Sequence, residues 1–202
     1  KWTKLFIDAS QNGSLSWKKN PKSAEINFSS NSRGISILSD PLKSETEITG
    51  PIVAKLFLSS STEDCDIFIT LQAFSETGKE VYFQGTVDPR TPLAQGWLRA
   101  SHRKLDKNKS LFWRPYHSHD EKQMLLPNEI YELDIEIWPQ SIILPEGYQI
   151  GINISGQDFD RPGESVGDYM PCRGSGPFLH NDPFDRPKEI FSGETTIYSG
   201  DN

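Results

Sequence analysis

Hydrophobic and polar residues alternate with a period of two wherever the chain shows a regular pattern. From Glu129 to Trp138, apolar side chains take one face and acidic side chains take the other, as a half-buried strand requires. The same alternation runs from Tyr148 to Ser155, and Pro145-Glu146-Gly147 supplies a turn between the two segments. We therefore expect these two strands to be neighbours in one sheet.

Two earlier segments, Ile52 to Ser60 and Asp66 to Phe74, alternate in the same way. Glu76-Thr77-Gly78-Lys79 then predicts a hairpin into a strand from Val81 to Val87, because a short glycine-containing loop joins two β-rich runs. The sequence predicts no amphipathic helix of ten residues or more. Weaker strand candidates complete the set: Trp2 to Ile7, Ala24 to Phe28, Trp97 to Arg103, Ile190-Phe191 and Thr195 to Tyr198.

These elements predict one all-β domain over residues 1–202, built as a jelly-roll β-sandwich of two antiparallel sheets with long loops. Its length of 202 residues is enough for a single sandwich with a substantial core. Loops this long in a compact domain are usually functional or packed against something. The stretches that fit no strand are Gln11 to Lys22, Leu105 to Pro127 and Gln157 to Pro187.

Charge and composition narrow the function classes. The formal net charge is −7, which argues against a nucleic-acid partner because phosphate binding needs a basic face. No apolar run is long enough to cross a membrane. Cys65 and Cys172 match neither a disulfide framework nor a zinc spacing, so we expect free thiols. The chain begins at Lys1, which suggests a fragment of a longer protein. The compartment stays open, with the cytoplasm favoured over secretion.

Gly163-Glu164-Ser165-Val166-Gly167 matches the G-x-S-x-G pattern of α/β-hydrolases. That motif works at a sharp turn from a strand into a helix, with an acid and then a histidine downstream. Asp168 and His180 have the right order, but no apolar strand precedes the motif and no helical pattern follows it. We interpret it as a glycine-rich loop and keep a nucleophilic Ser165 as a remote alternative.

His117-Ser118-His119 would place two imidazoles on one side of a strand, where they could bind a metal ion. Zinc sites usually need a third or fourth rigid protein ligand, and the sequence nominates none. A hydrogen-bonded role in an interface is therefore the preferred interpretation, and we expect neither a metal nor a cofactor.

An aromatic and basic cluster stands out in the irregular part of the chain. Its aromatic members, Trp97, Trp113 and Tyr116, could form a sugar-stacking platform, as in jelly-roll carbohydrate-binding modules. Arginines accompany them, however, and Trp, Tyr and Arg are the residue types enriched at protein interfaces. A packed polar interface is the favoured interpretation, with a carbohydrate-binding module as the alternative.

Seven ordered segments resemble the C-terminal domain of the cocaine-esterase and X-Pro dipeptidyl-peptidase group of serine hydrolases. They are Ile48 to Val53, Leu58 to Asp66, Gly96 to Arg103, Arg114 to Glu121, Pro127 to Pro139, Leu144 to Ile150 and His180 to Pro183. The resemblance implies a galactose-binding-like sandwich that packs on an α/β-hydrolase domain of the same parent chain and helps to wall its substrate cleft. It also implies that the catalytic triad belongs to that absent domain, so we expect no catalytic residue here.

On this interpretation the parent is an acyl esterase, an amidase or a dipeptidyl-peptidase, and this chain is its non-catalytic accessory domain. The family's domain usually finishes with a further apolar strand, whereas this chain stops after Tyr198. We therefore expect an unpaired sheet edge, which would permit a homo-oligomer. The residues expected at the interface or cleft are Trp97, Arg99, His102, Arg103, Trp113, Arg114, Tyr116, His117 and His119.

Overall fold

The computed structural model describes residues 2–85, 88–161, 165–166, 170–171 and 179–201. Within these residues the chain is nearly all β, with one short α-helix and one short 3-10 helix. The strands are β1 (Phe6–Asp8), β2 (Ser14–Ser16), β3 (Ala24–Ser29), β4 (Ile35–Leu38), β5 (Thr46–Ser60), β6 (Asp66–Phe74), β7 (Glu80–Val81), β8 (Ala94–Arg99), β9 (Tyr131–Leu144), β10 (Gln149–Ser155), β11 (Ser165–Val166), β12 (Met170–Pro171) and β13 (Glu194–Ser199).

Two larger antiparallel sheets form the domain. One has four strands in the order β3-β13-β5-β9. The other has five: β4, β10 and β6 follow one another, and both β7 and β8 pair with the far side of β6. This confirms the predicted all-β fold with antiparallel sheets, while the jelly-roll connectivity stays a prediction. The small pairs β1-β2 and β11-β12 stand apart from the two sheets.

The hydrophobic core lies between the inner faces of the sheets. The predicted inward positions of β9, including Leu133, Ile135 and Ile137, are buried there, as are Leu56 and Leu58 of β5. Strand β6 differs, because nearly all its residues are buried on both faces. Its outer face is covered by residues that follow β10 in the chain, such as His180 and Arg186, which pack on Phe68. This cover creates the candidate site described below.

The predicted pairing of the Glu129–Trp138 and Tyr148–Ser155 strands is wrong. Strand β9 pairs with β5, whereas β10 pairs with β4 and β6, so the two strands lie in opposite sheets. The turn at Pro145 to Gly147 exists, with Tyr148 N donating to Pro145 O at 3.3 Å. It carries the chain from one sheet to the other, which alternation alone does not reveal, because both strands need one buried face in either arrangement.

Strands β5 and β9 are longer than predicted because their prolines lie at an irregularity of the ladder. Gly50 pairs with Gln140 and Ile52 with Ile137, so the register shifts between these two pairs. Pro51 and Pro139 lie within that shift. A proline is tolerated at a bulge, where no backbone N–H is needed, so the two strands pair on both sides of it.

Several weaker strand predictions also need correction. The Trp97–Arg103 strand is shifted, because β8 ends at Arg99 and a 3-10 helix follows over Ala100–His102. The Ile190-Phe191 strand is wrong, since the helix α1 (Lys188–Phe191) occupies these residues. Pro187 is the N-cap of this turn, and its carbonyl accepts the N–H of Phe191 at 3.0 Å, which is the first hydrogen bond of the helical turn. Strands β2, β4, β11 and β12 were not predicted.

The end of the chain is not an unpaired edge. Strand β13 lies between β3 and β5 and pairs with both, so the edges of this sheet are β3 and β9. The expectation that a missing strand leaves β13 exposed is therefore wrong. A homo-oligomer stays a prediction without that argument.

Cys65 is a free, buried thiol, and burial, followed by the charges of Asp64 and Asp66, raises its pKa to about 12. Cys172 lies outside the described residues. In the described part of the chain, no helix has the length and apolar character needed to cross a bilayer.

The two sheets meet along β8 and β9. A Cβ atom on Gly96 of β8 would lie 2.1 Å from the carbonyl oxygen of Glu136 on β9. Real side chains do not approach a backbone so closely, so glycine is required for this contact. The close approach sets Trp97, which follows Gly96, and Trp138, two residues after Glu136, side by side on the surface. We call this line of contact the seam.

Candidate functional site

A cavity of about 380 Å³ opens beside the seam and contains all four histidines of the chain. It is built from three parts of the structure: β6 with β8, the 3-10 helix with the loop that follows it, and the segment that returns after β10. The lining residues are Asp66, Phe68, Trp97, Leu98, Arg99, His102, His117, His119, His180 and Asp185. We call it the histidine cavity.

Trp97, which lines this cavity, forms an exposed aromatic pair with Trp138. Their ring centroids are 5.8 Å apart at an interplanar angle of 65°. Trp97 remains 43% exposed and Trp138 57% exposed, which is unusual for such large apolar side chains lying together. A smaller cavity of about 70 Å³ is lined by both tryptophans and shares Phe68, Trp97 and His180 with the histidine cavity.

His180 is held against Trp97 by its neighbours. Its Nδ1 lies 2.9 Å from Oδ1 of Asp158, and its backbone N–H donates to Oδ2 of the same carboxylate at 2.7 Å. The imidazole packs against Trp97 and Phe68, with centroid distances of 5.3 and 5.4 Å. Arg186 donates to the His180 carbonyl. Contacts of the imidazole and of the His180 backbone thus hold the ring in place.

A network of ion pairs forms the floor of the cavity. Arg99 makes two hydrogen bonds to Asp66, at 2.8 and 3.0 Å, and two more to Asp185, at 3.0 and 2.8 Å. The hydrogen bonds to Asp66 are the largest cause of a raised pKa for Arg99, and Arg99 in turn lowers the pKa of Asp185. Nε of Arg186 lies 2.9 Å from Asp66 Oδ2, an ion pair by distance whose N–H is not aligned for a hydrogen bond.

The remaining three histidines crowd together on one side. His102 Nδ1 and His119 Nδ1 are 2.9 Å apart, and the rings of His117 and His119 have centroids 6.0 Å apart. The 3-10 helix that carries His102 is fixed by Asp64, which accepts the N–H of Ser101 at 2.9 Å. Burial is the main cause of a lowered pKa for both His102 and His117.

His117 is hydrogen-bonded to the backbone of Asp134, and its Nε2 is buried without a partner among the described residues. In that part of the chain, no group of three His, Cys, Asp or Glu side chains is arranged to hold a metal ion.

The structure brings together some of the predicted site residues and separates the others. Trp97, Arg99, His102, His117 and His119 all line the cavity. The other four lie elsewhere. The Arg103 guanidinium covers the Tyr131 ring, 4.5 Å from its centroid, and the Trp113 ring stacks on Trp2 with a centroid distance of 6.2 Å. Nε of Arg114 lies 3.6 Å from Oε1 of Glu136. The Lys109 ammonium lies 4.8 Å from the centroid of the Tyr116 ring.

This separation removes the predicted sugar-stacking platform. Trp97, Trp113 and Tyr116 belong to three different neighbourhoods, and the pair that does form, Trp97 with Trp138, is tilted rather than coplanar. A sugar platform needs ring faces presented to one groove. The geometry therefore gives the carbohydrate-binding alternative no support.

The described lining of the cavity offers no hydroxyl or thiol nucleophile. None of its described residues is a serine, threonine or cysteine, so within that part of the chain the imidazoles have no such group to activate. His180, the predicted partner of Ser165, is engaged with Asp158. Most of the Gly163 to Gly167 motif, including the Ser165 side chain, lies outside the described residues.

Sequence reasoning missed five residues that shape the site: Asp66, Phe68, Trp138, Asp158 and Asp185. Phe68 and Asp66 lie on the face of β6 opposite the core, and their burial there follows from the covering segment, which alternation does not predict. A signal was available for Asp66, because a carboxylate inside an apolar strand needs a cationic partner.

Solved structures of longer proteins share this fold. The described chain superposes on a CocE/NonD family hydrolase from Staphylococcus aureus with a TM-score of 0.81 and 25% identity, covering 99% of this chain and 34% of that one. An aminopeptidase from a marine sediment archaeon, Thaumarchaeota archaeon, shares the fold with a TM-score of 0.62 and 14% identity, over 98% of this chain and 34% of its own.

Curated relatives agree with the structural comparison. Proteins of Mycobacterium bovis and Mycobacterium tuberculosis, both named as serine esterases, are 30% identical over 125 residues, which is 59% of this chain and 18% of theirs. The chain thus spans about a third of the S. aureus hydrolase and less than a fifth of the mycobacterial proteins. Residues 19–184 match the family described as the X-Pro dipeptidyl-peptidase C-terminal non-catalytic domain. The chain therefore belongs to this family of non-catalytic C-terminal hydrolase domains.

Proposed function

We propose that this domain docks on an α/β-hydrolase domain of its parent protein through the surface around Trp97 and Trp138, and that the histidine cavity beside them forms part of the substrate-cleft wall. The observation that carries the proposal is the exposed tryptophan pair at the seam. An apolar surface of this kind on a soluble domain is characteristic of an interaction site. The relatives, all much longer than this chain, support a hydrolase domain as the partner.

The shape of this surface favours docking here over the second exposed aromatic group. Trp2, Phe112 and Trp113 pack against one another, and none of them lines either of the two cavities described above. Trp97 instead lines both cavities, of about 380 and 70 Å³. Interface hot spots are aromatic anchors beside pockets that receive side chains of the partner, and this description fits Trp97.

Rigidity of the site supports the same conclusion. Trp97 is held by β8 within a sheet, Trp138 by β9, and the cavity floor by the ion pairs of Arg99. A docking surface that is already ordered loses little conformational entropy on association. The domain is thus suited to hold a neighbouring catalytic domain in one orientation.

Oxidation of tryptophan side chains tests this proposal. In the isolated domain, Trp97 and Trp138 should react readily with a small oxidant such as N-bromosuccinimide at limiting dose, and peptide mass spectrometry measures the modified fraction at each position. In the full-length parent, both positions should be protected several-fold. Trp17 is the matched control, since it is 48% exposed away from the cavity, and it should react equally in both proteins. Equal reactivity of Trp97 in the two proteins would contradict the proposal.

Substitution of Trp97 separates docking from folding. Because more than half of its surface is buried, Trp97→Ala should lower the free energy of unfolding of the isolated domain by about 2 kcal/mol through the lost apolar contact, and the domain should remain folded. In the full-length parent, the same substitution should weaken the contact between the two domains and expose the partner surface to limited proteolysis. Trp17→Ala should leave that proteolysis pattern unchanged.

A further inference from the structure

His102 and His119 face one another in the histidine cavity in an arrangement that depends on protonation. Their Nδ1 atoms are 2.9 Å apart, and their ring centroids are 5.1 Å apart. At that distance one nitrogen donates a hydrogen and the other accepts it through its lone pair. The pair therefore needs one Nδ1 to be free of a hydrogen.

The proton count of this pair follows from that requirement. When both rings are neutral, one carries its hydrogen on Nδ1 and the other on Nε2. A first added proton enters at the free Nε2 of the donor ring, and the contact becomes a charge-assisted hydrogen bond. A second proton must occupy the accepting Nδ1, which removes the only lone pair in the contact and places two like charges together. The hydrogen bond then breaks.

Surrounding charges act against the second proton. Arg99 and Lys122 add positive charge near His102, as does His119 itself, while Asp64 acts in the opposite direction. Asp66 and Asp185 also line the cavity, but both are engaged with Arg99. Beside His119, Lys104 binds Asp120 at 3.0 Å and Glu121 at 3.2 Å. The cation of His102 is thus disfavoured by burial first and by these positive neighbours second.

The sign of the pH effect follows from linkage. The pKa of His102 lies below its ordinary value of 6.5 in the folded domain. The folded domain therefore favours the neutral form of His102, and this contributes to its stability. The contribution is fully present above pH 6.5 and is lost as the pH falls through the lower pKa of the folded state. The contact should thus persist at neutral pH and open in mildly acidic solution.

The contact between His102 and His119 also helps to hold the backbone turn at His119. His119 has a φ of 52°, in the left-handed region that most side chains avoid. The turn is held by Ser118 N donating to Lys104 O at 3.0 Å and by the hydrogen bond of the His119 ring to His102. Loss of that ring contact removes the anchor that joins this turn to the 3-10 helix.

We propose that the His102–His119 pair is a proton-operated contact which keeps the domain competent to dock at neutral pH and weakens docking on acidification. This inference rests on the docking surface proposed above, because the pair lines the cavity that Trp97 borders. A doubly protonated pair carries two charges that a partner domain would have to cover, and covering unpaired charge is costly. Docking and protonation therefore oppose one another, as linked binding equilibria must.

The first test is made on the isolated domain. Side-chain ¹⁵N–¹H NMR, recorded from neutral to acidic pH, follows each imidazole. We expect His102 to titrate below its ordinary range, and the signals that report its Nδ1 contact with His119 to change in the same step. His119→Asn is the decisive variant, because its amide can still bond to His102, does not titrate, and suits a left-handed backbone. In this variant His102 should titrate in one step displaced upwards. Titration of His102 at its ordinary value in the unmodified chain, with no accompanying change at the Nδ1 contact, would overturn the proposal.

The second test uses the full-length parent and the oxidation assay described above. Trp97 should be protected at neutral pH and should become several-fold more reactive in mild acid, whereas in His119→Asn its protection should persist. If Trp97 is protected equally at both pH values in the unmodified protein, the proton-operated contact is refuted and the docking surface stands. If Trp97 is never protected, the docking surface is refuted, and the NMR titration still decides whether the pair exists.

Discussion

Replacing Gly96 with alanine is expected to lower the free energy of unfolding by about 3 kcal/mol, the upper range for overpacking a well-ordered site. The added Cβ would lie 2.1 Å from the Glu136 carbonyl oxygen and 3.0 Å from both the Glu136 carbonyl carbon and the Ile137 Cα. All three atoms belong to the backbone, so no side-chain rotation relieves the contact. The two sheets must separate along the seam.

Urea denaturation followed by circular dichroism measures this change. Gly78→Ala is a suitable control, because a Cβ there meets nothing within 4 Å. Its φ of 75° leaves only backbone strain, which costs about 1 kcal/mol or a little more. Equal losses for the two variants would contradict the steric account of the seam. A loss at Gly96 should also raise the solvent exposure of Trp97 and Trp138, visible as a red shift of tryptophan emission.

Replacing Asp66 with alanine is expected to cost about 3 kcal/mol of unfolding free energy, since breaking a buried pair leaves an uncompensated charge. The Asp66 side chain is only 8% exposed and contacts two guanidinium groups, those of Arg99 and Arg186, which are 17% and 12% exposed. Removal of the carboxylate leaves Arg186 without its charged partner and Arg99 with Asp185 alone.

Asp185 provides a matched control on the same arginine. It also makes two hydrogen bonds to Arg99, but its side chain is 64% exposed, so water screens the charge that its loss would expose. Asp185→Ala should cost about 1 kcal/mol or less, the usual value of a surface ion pair. Denaturation of the two variants under identical conditions compares them directly. A larger loss for Asp185→Ala than for Asp66→Ala would show that the cavity floor is organised differently.

Strand content was predictable because one buried face imposes alternation. Strand β6 agrees with its predicted bounds, and β10 differs from its prediction by one residue. The pairing of the strands was harder to predict from the sequence. The segments now seen as β9 and β10 carry the same pattern whether they share a sheet or face one another across the core, and the structure shows the second arrangement. The bounds of β5 and β9 were mispredicted for a second reason, because Pro51 and Pro139 interrupt the hydrogen bonding without ending either strand.

The candidate site was predictable in its residue types and only partly in its geometry. His117 and His119 were expected to project together from a strand, yet they reach one cavity from an irregular loop in which His119 is left-handed. His102 joins them from a 3-10 helix, and His180 from a segment far along the chain. No local sequence pattern predicts that these four histidines line one cavity. Trp113 and Tyr116 have the composition of interface residues, but tertiary packing places them away from the cavity.

The most direct test of the central claim is photo-crosslinking from position 97 in the full-length parent. Trp97 is replaced by p-benzoylphenylalanine through amber suppression, the protein is irradiated, and the crosslinked peptides are identified by mass spectrometry. We expect crosslinks that join position 97 to peptides of the hydrolase domain, while the same probe at position 17 gives none. Irradiation that yields no crosslink from position 97 to the hydrolase domain, or an equal yield from position 17, would contradict the proposed docking surface.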